Sequence, residues 1–311
     1  MGPGGGPHPV IATQARAGST ALTGIALLIV AVACFAVLDT TTKLVSISVP
    51  VVMALWFRYA FQAVATTVVM LPVRGRAMLR TSHPRFQCLR GVLLLTSSAL
   101  AFFSLKYMPV GEFTAVVMIT PLVITLLASV QLGERVSSLR WALVAGGFIG
   151  TLVIIRPGDE GFDWALLLPL GLVASNAWFQ ILTSRMVKTE DPVTMQFYTG
   201  WVGTLIASAA LPFFWTDLDS TALWMGLVFM GVMGTVGHFV MILAYAKAPV
   251  STLTPFLYAQ IAFAMIGGWV VFSHVPDQWS VLGMALIAVC GAAGAWLTVR
   301  ESRIPIEHPE T

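Results

Sequence analysis

Asp39 and Lys43 stand four residues apart in a run that is otherwise apolar, so on a helix they share a face and can pair. They are either a salt bridge at a helix end, with Lys43 snorkelling to the interface, or part of a gate that attracts a zwitterionic solute. His238 lies in the middle of another apolar run. A titratable group at membrane depth is costly unless it faces a cavity or a partner, and a neutral imidazole can both donate and accept. It is therefore either a solute contact or a packed histidine bonded to a neighbouring helix. Asn176, Gln260, Ser98 and Thr120 are further polar positions in apolar runs. Each alone reads as interhelical glue, and together they can line a pocket. Phe35, Phe102, Trp178 and Tyr258 are candidates for its apolar walls, suited to a bulky hydrophobic group.

Bond-making chemistry has no such support. There is no His-Glu-x-x-His run, no Gly-x-Ser-x-Gly elbow and no pair of carboxylates at membrane depth. No catalytic residue, cofactor or metal is expected. Cys34, Cys88 and Cys290 lie far apart, without metal-ligand or disulfide spacing, and read as small core residues.

The elements that must position these residues are membrane helices. Hydrophobic residues make up 57 % of the 311 and charged residues 10 %, against about a quarter charged in soluble domains. A helix needs roughly 20 apolar residues to cross the hydrocarbon core. Ten spans satisfy this: 21–45, 50–72, 89–107, 110–131, 139–155, 164–187, 193–214, 221–246, 250–273 and 278–299. Pro121 and Pro255 interrupt the fourth and ninth, each removing an intrahelical hydrogen bond, and read as hinges or as static kinks. Gly146 and Gly150 in the fifth span, and Gly291 and Ala295 in the tenth, mark close helix contacts. A small net charge of +3, with the bases in loops, gives no sign of nucleic-acid binding.

The spans form a duplication. Residues 90–120 overlay residues 230–260 without a gap, placing Gly91 on Gly231, Pro109 on Pro249, Thr114 on Thr254 and Ser98 on His238. Five spans per copy is odd, so the second copy is inverted. The expected fold is an all-α membrane protein of ten transmembrane helices in two inverted five-helix repeats. The divisions are a disordered cytoplasmic N-terminus at 1–19, a first repeat at 20–157, a second at 158–300 and a cytoplasmic tail at 301–311. Inverted repeats around a midplane site are the architecture of secondary transporters. Loops on the side of the termini carry Arg74, Arg76, Arg80, Arg85, Arg135, Arg140, Lys188 and Lys247, whereas the other side has Lys43, Lys106 and Arg156. The asymmetry puts both termini in the cytoplasm.

These residues resemble the drug/metabolite transporter superfamily, in its ten-span branch with duplicated halves. The features that carry the resemblance are Phe35-Ala36-Val37-Leu38-Asp39 with Lys43, Arg90-Gly91, Ser104 to Pro109, Pro121, Leu132-Gly133-Glu134 and Ile155-Arg156-Pro157. The pattern departs at His274, which overlays Glu134. The resemblance implies a bacterial-type inner-membrane carrier, with export of amino acids, hydrophobic and aromatic ones included, as the leading function. The alternatives are import of a larger, nucleoside-like or vitamin solute and, further off, a channel or an intramembrane enzyme. The implied partners are a small-molecule substrate and the bilayer, with no nucleic acid. A monomer is expected, a dimer being the alternative.

Overall fold

Helices α1 (Pro9–Val45) and α2 (Val51–Arg74) open the chain, and a 3-10 turn (Gly75–Leu79) links α2 to α3 (Pro84–Tyr107). Then come α4 (Thr120–Gln131), α5 (Ser138–Ile155), α6 (Leu167–Met186), α7 (Pro192–Ala210) and α8 (Thr221–Lys247). The ninth span is broken into α9 (Val250–Leu253), a 3-10 turn (Thr254–Tyr258) and α10 (Ala259–Phe272), and α11 (Gln278–Glu301) closes the bundle. The computed structural model describes residues 9–107, 116–155, 167–273 and 277–301. Met108, Pro109, Glu112, Thr114, Arg156, Pro157 and His274 lie outside the described residues.

Among the described residues, seven helices are long and apolar enough to cross a membrane; α4 and α5 are apolar but shorter, and α7 completes the ten spans. Several boundaries follow from proline. It lacks an N–H and has a helix-ready φ, so it is favoured in the first helical turn. Accordingly α3 starts at Pro84, ahead of the expected residue 89, and α7 starts at Pro192. Asp191 caps α7 by accepting from Val193 N and Thr194 N. In the ninth span Pro255 replaces continuous α-helix by the 3-10 turn. α1 starts at Pro9, inside the segment expected to be disordered; this stretch holds helix-forming Ala and Gln and begins with a proline.

The packing is that of two inverted repeats. α1 packs on α8 as α3 packs on α6, and α1 packs on α10 as α6 packs on α4. α2 packs on α8 as α3 packs on α7, while α2·α7 and α5·α11 are their own counterparts. Exchanging the halves leaves the principal contacts unchanged. The α5·α11 pair is as close as its small residues suggested. A Cβ on Gly150 would meet the Gly283 carbonyl oxygen and Ile287, and one on Gly146 would meet Cys290. On α11, however, the contact residues are Gly283, Ile287 and Cys290 rather than Gly291 and Ala295, and Gly291 faces Phe256 instead. Cys88 is exposed, not a core residue.

The end of the bundle that holds the N-terminus of α1 and the C-terminus of α11 is filled with apolar side chains. Ile25 and Leu28 of α1, Ile124 and Ala128 of α4, Tyr245 of α8 and Phe256 belong to one buried cluster there. Two carboxylates brace this end. Glu134, just after α4, accepts from Val250 N at 3.2 Å and Ser251 N at 2.9 Å at the start of α9. Glu190, between α6 and α7, accepts from Ser82 N at 2.9 Å and from His83 N at 3.1 Å, with His83 Nδ1 at 3.0 Å, at the start of α3. Burial pushes the Glu190 carboxyl up, but hydrogen bonds from His83, Thr81 and Ser82 outweigh it and hold it below the usual range.

Candidate functional site

Four helices converge on a polar cluster. α2 supplies Arg58 and Tyr59, α3 Ser98, α8 His238 and α1 Phe35. The approach of α2 is set by glycines. Gly203 of α7 leaves its bare backbone under the Tyr59 ring, and Gly234 of α8 leaves room for Arg58, whose Nε would lie 3.2 Å from a Cβ there. Tyr59 OH then reaches Ser98 Oγ at 3.1 Å. Arg58 Nη1 donates to the same hydroxyl oxygen at 3.3 Å, and Arg58 Nη2 donates to His238 Nε2 at 2.9 Å. A guanidinium has only donors, so Nε2 accepts and the imidazole proton sits on Nδ1.

Two donors of this cluster are left over. His238 Nδ1 and Arg58 Nε are buried and without a hydrogen-bond partner among the described residues. Arg58 forms no ion pair among these residues, so a full positive charge is held by neutral acceptors. Aromatic rings flank the imidazole: Phe35 with centroids at 4.7 Å and Phe179 of α6, edge-on, at 6.0 Å. Phe179 lies in turn under the buried Arg90 guanidinium, 5.3 Å from its ring centre. Arg90 is tied to Thr183 Oγ1, Gln87 Oε1 and the Met195 carbonyl oxygen.

Asp39 lies toward the end of the bundle opposite the termini. Gln260 Nε2 of α10 donates to Asp39 Oδ2 at 2.8 Å, and the charge of Arg58 acts on the carboxylate. The helical spacing pointed to Lys43, but the hydrogen bond comes from another helix. Asp39 and Lys43 are exposed, whereas His238 and Ser98 are buried. The site is therefore a cation with no ion pair among the described residues and an imidazole N–H between aromatic rings, with a carboxylate and an amide on one side. Such a site can bind a polar solute and stack against a ring, but it lacks an activated nucleophile. Among the described residues no three His, Cys, Asp or Glu side chains are placed to hold a metal ion.

The other candidates are placed elsewhere. Gln180 Nε2 donates to Asn176 Oδ1 at 2.6 Å, and Tyr245 OH donates to Gln180 Oε1, forming an α6–α8 link. The Tyr258 ring packs on Gly147 of α5, beside Val144 and Ile287. Thr120 Oγ1 donates to the carbonyl oxygen of Val117, supplying a donor to the carbonyl that Pro121 deprives of one. Phe102 packs against the large apolar cluster, and Trp178 is on the outer surface, 46 % exposed. Pro121 sits in the first turn of α4 and Pro255 in the 3-10 turn. Sequence reasoning passed over Arg58 and Tyr59. The available signal was a basic residue deep in span 2 with no acidic residue on its own helix.

The chain matches the model of the EamA-like transporter family twice, over residues 22–156 and 163–297. It is 28 % identical to a riboflavin transporter of Vibrio cholerae, covering 86 % of this chain and 91 % of that one. It is 26 % identical to an S-adenosylmethionine uptake transporter of Rickettsia felis, covering 86 % and 90 %. A pseudopaline exporter of Pseudomonas aeruginosa is 24 % identical, covering 86 % and 93 %. A protein of known crystal structure, 20 % identical, shares the fold with a TM-score of 0.73, covering 93 % of this chain and 99 % of the other.

Proposed function

The chain belongs to the EamA-like transporter family, a multi-pass membrane transporter and not an enzyme, and on that premise we propose that it takes up a heteroaromatic metabolite by alternating access. The solute class is vitamin-like or nucleoside-like. The observation that carries the reading is the buried pair of donors without a partner among the described residues, Arg58 Nε and His238 Nδ1, set beside the Phe35 and Phe179 rings. Ring stacking and two oriented donors suit a flat heterocycle with acceptor atoms. The names of the riboflavin and S-adenosylmethionine relatives support the same class, and that of the S-adenosylmethionine uptake transporter supports the direction. Asp39, Gln260 and Arg58 form the approach from the exposed side, while the apolar cluster and the Glu134 contact close the end of the termini.

A second reading is export of amino acids. It rests on the opposite charges of Asp39 and Arg58, which match a zwitterion, and on the pseudopaline exporter. Both readings place the protein in a bacterial inner membrane with cytoplasmic termini, in accord with the loop bases. External thiol labelling of single-cysteine variants tests the orientation: Ser220→Cys reacts and Ser82→Cys does not.

Counterflow in proteoliposomes decides between the solutes. Vesicles loaded with unlabelled riboflavin, S-adenosylmethionine or phenylalanine are offered the labelled form of each. Saturable exchange of riboflavin or S-adenosylmethionine, lost in Arg58→Gln, is the expected result. Exchange of phenylalanine alone would overturn the heteroaromatic reading in favour of an amino-acid solute.

A further inference from the structure

A groove of about 260 Å³ lies between α3, α4 and α6 on the outer surface, toward the end of the termini. Its walls are Phe86, Leu89 and Leu93 of α3 and Ile181 and Leu182 of α6, with Leu132 closing one side. Trp178 stands deeper in the bilayer, and Arg185, in the last turn of α6, stands at the rim. Phe86, Leu89 and Trp178 are each roughly half exposed, so the groove is open to its surroundings, which at this depth are lipid.

Two features say what fills it. The only polar side-chain groups along its depth are the Gln131 amide and the Trp178 indole N–H, so a passage for a polar solute is disfavoured. Arg185 is exposed, with no hydrogen bond or ion pair among the described residues. It is thus a free cation at the level of the headgroups. From Arg185 to Trp178 is seven residues of helix, about 10 Å at 1.5 Å per residue, within the roughly 15 Å of one leaflet's hydrocarbon. Lys188, exposed and just beyond the helix, adds a second positive charge nearby.

We propose that this groove seats an anionic phospholipid, with one acyl chain between α3 and α6 and the phosphate paired with Arg185. Arg binds phosphate in a forked geometry, and a net negative headgroup is needed to neutralise the charge fully. The seat lies outside the solute cluster and does not depend on which solute is carried.

The test counts bound lipids on the purified full-length protein by native mass spectrometry, with phosphatidylglycerol and phosphatidylcholine of identical chains. The wild type is expected to keep phosphatidylglycerol over phosphatidylcholine by about five-fold, the size typical of one basic residue near a membrane surface. Arg185→Gln, at an exposed site, should lose most of the preference, the remainder coming from Lys188, and Arg185→Lys should keep it. Leu93→Trp fills the groove and should lose both lipids; Leu182→Trp does the same from the facing helix if the first variant does not fold. An undiminished preference in Arg185→Gln, or wild-type lipid retention in a folded groove-filling variant, overturns the proposal.

Discussion

Arg58 Nη2 donates to His238 Nε2 at 2.9 Å, a bond that joins α2 to α8 across the two repeats. Because the arginine cannot accept, the bond fixes the tautomer of the imidazole and leaves its single N–H without a partner among the described residues. Replacing His238 by Leu keeps bulk and removes both nitrogens. Transport per folded molecule is expected to fall about ten-fold, the size of one lost solute hydrogen bond of ~1.5 kcal/mol, with a lowered thermal midpoint because Arg58 Nη2 loses its acceptor. Normal transport per folded molecule, together with a lowered midpoint, would assign His238 to helix packing. Arg58→Lys keeps the charge but loses the fork that reaches Ser98 and His238 together, so it should impair transport despite conserving charge.

Glu134 ties the end of α4 to the start of α9 through two backbone N–H groups. Opening the bundle at the end of the termini must separate these elements. Glu134→Ala should cost the closed state ~0.5–2 kcal/mol, the usual size of a lost N-cap, and shift the equilibrium toward the open form. A cysteine placed at buried Ala248 reports this as faster thiol modification. Equal modification rates with and without Glu134 would show that the contact does not hold the closed state.

Glu190 predicts a pH effect on stability. Its folded-state pKa lies below the ordinary value because His83, Thr81 and Ser82 bond the carboxylate. The stabilisation is therefore complete above the unfolded pKa, about 4.3, and is lost as pH falls through the lower folded value. Thermal melts from pH 7 to pH 3 should show a decline confined to the acid limb, and Glu190→Gln should flatten it. A Gln variant with the same acid limb would place the effect on other carboxylates.

Each proline follows a break in its span. Pro121 stands in the first turn of α4, after a turn at Met118 and Ile119 that follows helical Val116 and Val117, and Thr120 serves the carbonyl oxygen of Val117. Pro255 breaks the ninth span. Pro255→Ala should favour continuous helix, retaining or raising stability, since Pro costs ~3 kcal/mol in helix interiors. Transport should fall, because alternating access needs two states of similar free energy. Pro121→Ala should shift both measurements in the same direction. Wild-type transport in Pro255→Ala would locate the hinge elsewhere.

The ten spans, the duplication and its inversion were legible along the chain. They depend on run length, on spacing and on an odd count, all one-dimensional properties. Gly146 and Gly150 were legible as a close-contact face of α5, whereas on α11 the residues that meet it are Gly283, Ile287 and Cys290. His238, Asp39 and Gln260 were legible as costly polar groups in apolar runs. Their partners were not. A membrane helix is apolar all round, so periodicity does not say which face turns inward. Trp178 reads as a pocket wall and stands on the outer surface; Tyr258 reads the same and packs on Gly147. Asp39 reads as the partner of Lys43 and bonds to Gln260. Arg58, a single charge in span 2, meets Ser98 of α3 and His238 of α8 because Gly203 and Gly234 let three helices close at one depth. Residues 40 and 180 positions apart become hydrogen-bond partners only through that crossing geometry, and only the tertiary structure could decide it.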